Sequence, residues 1–201
     1  MDNTNVVEVP SLFQNKTKKK FTFTTGGITI EKARSFDPVV FIPAEDILAF
    51  RYGVNWVRGY KFAFGRAYFI EIKDRRQNIT KISLRSVYGI RRSIYDKAWR
   101  DIFQQLWSHY FIKIATEKLE MYKRQEVFEL VGIKFLYEGI KWDMEPTILW
   151  NEIALKNYKS YFMIHHVNDI NLRKSVTFAT DWNAVVLQQV LKLVVKNPRP
   201  N

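Results

Sequence analysis

Ile42–Gly53 reads IPAEDILAFRYG, and Ile148–Lys159 reads ILWNEIALKNYK. Each is an apolar run, a turn and a second apolar run. In each an acid directly precedes an isoleucine, as Asp46–Ile47 and as Glu152–Ile153. Alone, the first stretch invites a catalytic reading, because Glu45 and Asp46 are adjacent carboxylates. A paired-carboxylate general acid–base site needs both acids and a cleft. The second stretch keeps only one of them: Asn151 stands where the first has Glu45. The acid common to both is expected to accept backbone N–H groups at a turn, as Asp does readily. Glu45 is then a surface residue.

Three further echoes follow in the same order. YFIEI at Tyr68 is matched by YFMIH at Tyr161, KISL at Lys81 by SVTF at Ser175, and IFQQLW at Ile102 by VLQQVL at Val186. Four weak matches in one order point to a duplicated unit. Each half reads as several strands followed by one helix. In the first half, FTFTTGGITI alternates around Gly26–Gly27 as a hairpin. RRQN (Arg75–Asn78) reads as a turn. From Ser93 the spacing changes, and Trp99, Ile102, Phe103, Leu106, Trp107, Tyr110 and Ile114 form one helical stripe reaching toward Lys123. Ser93 with Asp96 has the spacing of a capping box. In the second half EVFELVGIKFLYEGIKWD reads as one or two strands. The final helix carries Val186, Leu187, Val190, Leu191 and Val194, with Thr180 as its expected N-cap.

A chain of 201 residues with 47% hydrophobic and 15% aromatic content can bury a real core. With no cysteine there are no disulfides, no thiolate metal sites and no cysteine nucleophile. The polar start MDNTNVVEVPSLFQN is unlike a signal peptide, and no apolar run has the length of a membrane span. A cytoplasmic protein is expected. The three histidines form no metal constellation: His165 and His166 alternate across a strand, and His109 has no acidic partners in its segment. There is no GxSxG, no phosphate-binding loop and no GxGxxG. Catalytic residues, metal ligands and cofactors are all expected to be absent.

Strands of the form GITI (Gly27–Ile30), then IPAEDI (Ile42–Ile47), a strand pair and a closing helix resemble the pleckstrin-homology-like domains, in particular the bacterial PH-like and GRAM-like group. The second half repeats the pattern as GIKF (Gly132–Phe135), ILWNEI (Ile148–Ile153) and the final helix. The resemblance implies a mainly β fold with helices (α+β). It consists of two bent antiparallel barrels of about seven strands, each closed by a C-terminal amphipathic helix. The second copy, shorter, is expected to lack or merge a strand. The other arrangement compatible with the pattern is an antiparallel sheet with both helices on one face. The expected organisation is a tail over 1–15, a first domain over 16–122, a second over 123–197 and a tail over 198–201.

The net charge of +12 is uneven: residues 1–100 hold 19 Lys/Arg against 9 Asp/Glu. Candidate anion- or partner-binding residues are Lys18, Lys19 and Lys20, then Lys73, Arg75 and Arg76, and Arg91 with Arg92. Lipid-binding members of the resembled group place bases in the first hairpin. Here that turn is TTGG, which departs from the pattern. Basic and aromatic residues interleave over Arg51–Phe69, where alternation places most rings against the core or a neighbouring domain. The expected function is a non-catalytic binding or assembly module with a protein partner or a second copy of itself. The alternatives are a peripheral module on anionic membrane and, third, a nucleic-acid binder.

Overall fold

The computed structural model describes residues 4–14, 16–32 and 38–196. The expected C-terminal tail lies outside the described residues. The chain divides into two compact units, residues 1–111 and 112–201. The division falls within the long helical span, where the sequence suggested a boundary after 122.

In the first unit β1 (Asn5–Pro10), β2 (Lys18–Thr24), β3 (Gly27–Glu31) and β4 (Val40–Pro43) form an antiparallel sheet in that order. Alternation drives it: Phe21, Phe23, Ile28, Ile30 and Ile42 are all buried. Part of the expected N-terminal tail is therefore a strand. Asn5–Pro10 pairs with Phe23–Lys18, and Val9 is buried. Its short run of alternation is masked in the sequence by the polar residues on either side.

A 3₁₀ turn, Ala44–Asp46, leads into β5 (Ile47–Arg58), β6 (Ala63–Asp74) and β7 (Ile79–Val87), a three-stranded antiparallel sheet. Helix α1 (Arg92–Leu106) follows, then a π-helical turn at Trp107–Phe111. Its side chains bond to both sheets. Tyr95 donates to Pro10 O, Trp99 Nε1 to Phe69 O and Tyr110 to Thr24 O. The wider π turn also moves the stripe along by one residue, so Phe111 and Ala115 are buried and Ile114 is not. The Ser93–Asp96 capping box does not form. Arg91, with φ +56°, precedes a helix that already begins at Arg92, and Asp96 pairs instead with Arg100 at 2.8 Å.

The second unit holds α2 (Ile112–Lys123) and a four-stranded sheet of β8 (Phe128–Leu130), β9 (Ile133–Phe135), β10 (Gly139–Lys141) and β11 (Ile148–Leu149). A 3₁₀ turn, Trp150–Glu152, leads to the three-stranded sheet β12 (Ile153–Asn157), β13 (Tyr161–His166) and β14 (Arg173–Thr177), then to α3 (Ala184–Lys196). All seven strands of the plan are present, only shorter. None is lost, and EVFELVGIKFLYEGIKWD yields three. The expected stripe of α3 is fully buried. Thr180 does not cap α3, which starts four residues later. The nearby Asp181 carboxylate instead accepts the Thr177 N–H at 2.7 Å.

The expected barrels are not formed. Among the described residues the strands make four antiparallel sheets, and no strand pairing joins the four-stranded to the three-stranded sheet of either unit. The 3₁₀ turn ends one sheet's ladder before the next begins. In the first unit the helix, through the bonds above, bridges the two sheets.

The duplication is detailed enough to correct two of its sequence matches. Gly27 and Gly139 are equivalent: each opens the third strand of its sheet and pairs with the residue just before the 3₁₀ turn, Pro43 or Leu149. The counterpart of GITI is thus GIK at Gly139, not GIKF at Gly132. Likewise Ile47 pairs with Asp74 and Ile153 with His166. That register aligns Phe69, not Tyr68, with Tyr161. A slip of one residue exchanges the two faces of a strand.

Candidate binding surface

The shared acids occupy equivalent turns but act differently. Glu152 accepts the Leu149 N–H at 3.3 Å. Pro43 has no N–H to offer Asp46. What the turns share is a main-chain bond, from Arg75 N to Asp46 O at 2.9 Å and from Val167 N to Glu152 O at 2.8 Å. Glu45 is exposed, and its carbonyl accepts from Arg75 Nε. No acid–base pair is built here.

The predicted basic residues do not converge. Lys18 pairs with Glu8 at 2.6 Å and Lys20 with Glu31 at 3.4 Å. Lys19 is turned inward, with its ammonium 3.3 Å from Ser83 O. Burial, and then the nearby Lys32, lower its pKa. Lys73, Arg75 and Arg76 sit at one end of β6 and the turn after it, while Arg91 and Arg92 belong to the other end of the sheet. The nine residue steps from Phe64 to Lys73 separate those ends by about 30 Å. Arg91 Nε donates to Leu12 O at 2.8 Å.

Arg92 alone joins a wider feature, which the unequal hairpins of the two units create. β5 and β6 have 12 residues each, against five and six in β12 and β13. The inward face of β5 carries Phe50, Tyr52, Val54 and Trp56. Phe50 is sealed by Phe103 and Phe111. Tyr52 lies against Trp99 and Phe103, and burial pushes its hydroxyl up to about 12. Beyond that point the strand outruns the helix. Exposure rises from 1% at Phe50 to 42% at Val54 and 55% at Trp56. It reaches 98% at Tyr60 and 63% at Phe62 in the tip, where residues 58–63 are all exposed. Most of the rings in Arg51–Phe69 were expected to be covered; Trp56, Tyr60 and Phe62 are not.

The surface is ordered by its own contacts. The Arg66 guanidinium lies over the Trp56 ring at 4.6 Å, on the directly paired residue. Phe64 stacks on Tyr88 at 5.5 Å, and Tyr88 N donates to Phe64 O at 2.7 Å. Between them opens a shallow concavity of about 340 Å³, with Arg92 on its wall. Phe13, also exposed, follows the Leu12 that Arg91 holds. The composition is one-sided: there is no acid between Asp46 and Glu71, nor between Asp74 and Asp96. That gap was visible in the sequence and marks the surface better than the Lys/Arg clusters do.

Elsewhere Glu71 and His166 are engaged structurally. Glu71 is buried between Arg51 at 2.7 Å and Lys81 at 2.8 Å. Burial opposes its charge, yet the hydrogen bonds and charges of Lys81 and Arg51 leave its carboxyl below the ordinary range. His166 Nδ1 accepts two backbone N–H groups at 3.1 Å, and its Nε2 lies 3.4 Å from Glu152. Among the described residues no cluster of three or more His, Asp or Glu could hold a metal ion, and no helix is long and apolar enough to cross a membrane. Compared with protein-family models, curated proteins and solved structures, the chain matches none.

Proposed function

We propose that the chain is a non-catalytic binding and assembly module, acting in the cytoplasm, that engages its partner through the open end of the first unit. One observation carries this reading: the β5–β6 hairpin continues past α1 and leaves Val54 and Trp56 on its core-facing side, and Tyr60 and Phe62 in its turn, uncovered. A large apolar surface left in water marks an interaction site more often than a neutral one. The same extension is missing from β12–β13, so the duplicated plan does not require it. The relation to pleckstrin-homology-like domains stays a proposal on element order alone: four strands, a turn, three strands, a helix.

A protein scaffold would use such a surface, and so would a module seated on anionic membrane. The acid-free, arginine-bearing surround favours the second. A photo-crosslinking amino acid at position 60 or 62 in growing cells tests the common claim. Adducts are expected at both positions and not at Met144, which is equally exposed in the second unit. Failure to capture anything from either tip position would remove the proposal.

A further inference from the structure

We infer that the partner of this surface is an anionic lipid bilayer, entered by the Arg58–Ala63 tip. The inference rests on the binding-module reading above and names its partner. Charge is the first reason. The tip carries Arg58 and Lys61, with Arg66 and Arg92 behind it, and the flanking segments contain no acid to offset them. A basic residue near an anionic bilayer raises affinity about five-fold. The kind of ring is the second reason. Tyr60, Phe62 and Trp56 are aromatic side chains held in water, and Trp and Tyr favour the headgroup level of a bilayer. Long basic side chains beside them can bury their stems and keep their charges at the phosphates.

Shape separates this partner from a nucleic-acid strand. A strand needs a groove that tracks its backbone and ring faces open for stacking. Here the most exposed rings stand on a projecting turn, closed by Gly59 N to Phe62 O at 2.8 Å. Behind them Arg66 already covers one face of Trp56, and Phe64 and Tyr88 cover each other. A projection with outward rings meets a broad surface more readily than it cradles a chain. Phe13 is a further exposed ring, next in the chain to the Leu12 that Arg91 holds.

The test is co-sedimentation of the full chain with phosphatidylcholine vesicles, with and without phosphatidylserine, at low and high salt. Binding is expected only with phosphatidylserine, and it should weaken with salt. Arg58→Ala with Lys61→Ala should lower affinity about 25-fold at low salt. Tyr60→Ser with Phe62→Ser should lower it at least ten-fold while leaving the melting temperature unchanged, since both side chains are exposed. Brominated acyl chains should quench the fluorescence of the wild type more than that of Trp56→Phe. No binding to phosphatidylserine vesicles, or binding that ignores both double variants, overturns the inference. So does tip-dependent binding to single-stranded oligonucleotides in place of vesicles. If vesicles fail while crosslinks at positions 60 and 62 persist in cells, the bilayer is wrong and the binding module stands.

Discussion

Tyr68 is 1% exposed, and its hydroxyl is the one buried side-chain polar atom without a hydrogen-bond partner among the described residues. Its ring lies 6.0 Å from Trp99, in the core. An unsatisfied buried hydroxyl carries a desolvation cost that the same ring without oxygen avoids. Tyr68→Phe should raise stability by about 1 kcal/mol, read as a higher midpoint in denaturant. Glu71 makes the opposite case. Its folded pKa lies below the ordinary 4.5, so its stabilising contribution is complete above about pH 4.5 and is lost as pH falls below that. Glu8, Asp74 and Glu120 are also lowered and share this acid limb. The reading is therefore a difference: Glu71→Gln should be less stable than wild type at pH 7, and the gap should narrow toward pH 3. A gap that stays constant would mean that the Arg51 and Lys81 contacts act through packing alone.

At the scale of elements, Gly27 and Gly139 show what the duplicated plan demands. A Cβ on Gly27 would run into Ile42 O, and one on Gly139 into Ile148 O; Gly27 also has φ +152°. Both backbones approach the strand that precedes the 3₁₀ turn. Gly27→Ala and Gly139→Ala should each cost more than about 1 kcal/mol, measured by urea unfolding. Gly26→Ala serves as the control, since a Cβ there meets only Thr24 at 3.8 Å. The first hairpin, the turn at Arg75–Asn78 and the stripe of α3 were legible because their periods of 2 and 3.6 are unbroken. β1 was missed because its alternation spans only a few residues. The three short strands β8, β9 and β10 blurred into one or two because three residues hold too little pattern. The shift of the α1 stripe was hidden because a π turn adds a residue without altering composition.

For the molecule as a whole, each unit has its own set of sheets, helix and buried side chains. Ile70 and Phe162 occupy equivalent positions in β6 and β13, and both are 0% exposed. Ile70→Ala should cost about 2–5 kcal/mol. By hydrogen exchange, the amides of the first unit should lose protection before those of the second. Equal loss in both would mean that the chain unfolds as one cooperative body. Sequence alone determined that the chain is duplicated, rich in strands, and ended in each half by an amphipathic helix. Those properties live in residue period and order, which need no contacts to be read. Only the tertiary structure decided that the sheets stay open, which residue of YFIEI matches YFMIH, and that the basic clusters lie far apart. It also decided that Trp56, Tyr60 and Phe62 are uncovered. Alternation along a strand says which rings share a face. Whether a helix is long enough to cover that face depends on where the helix packs, and α1 stops short of the end of the hairpin.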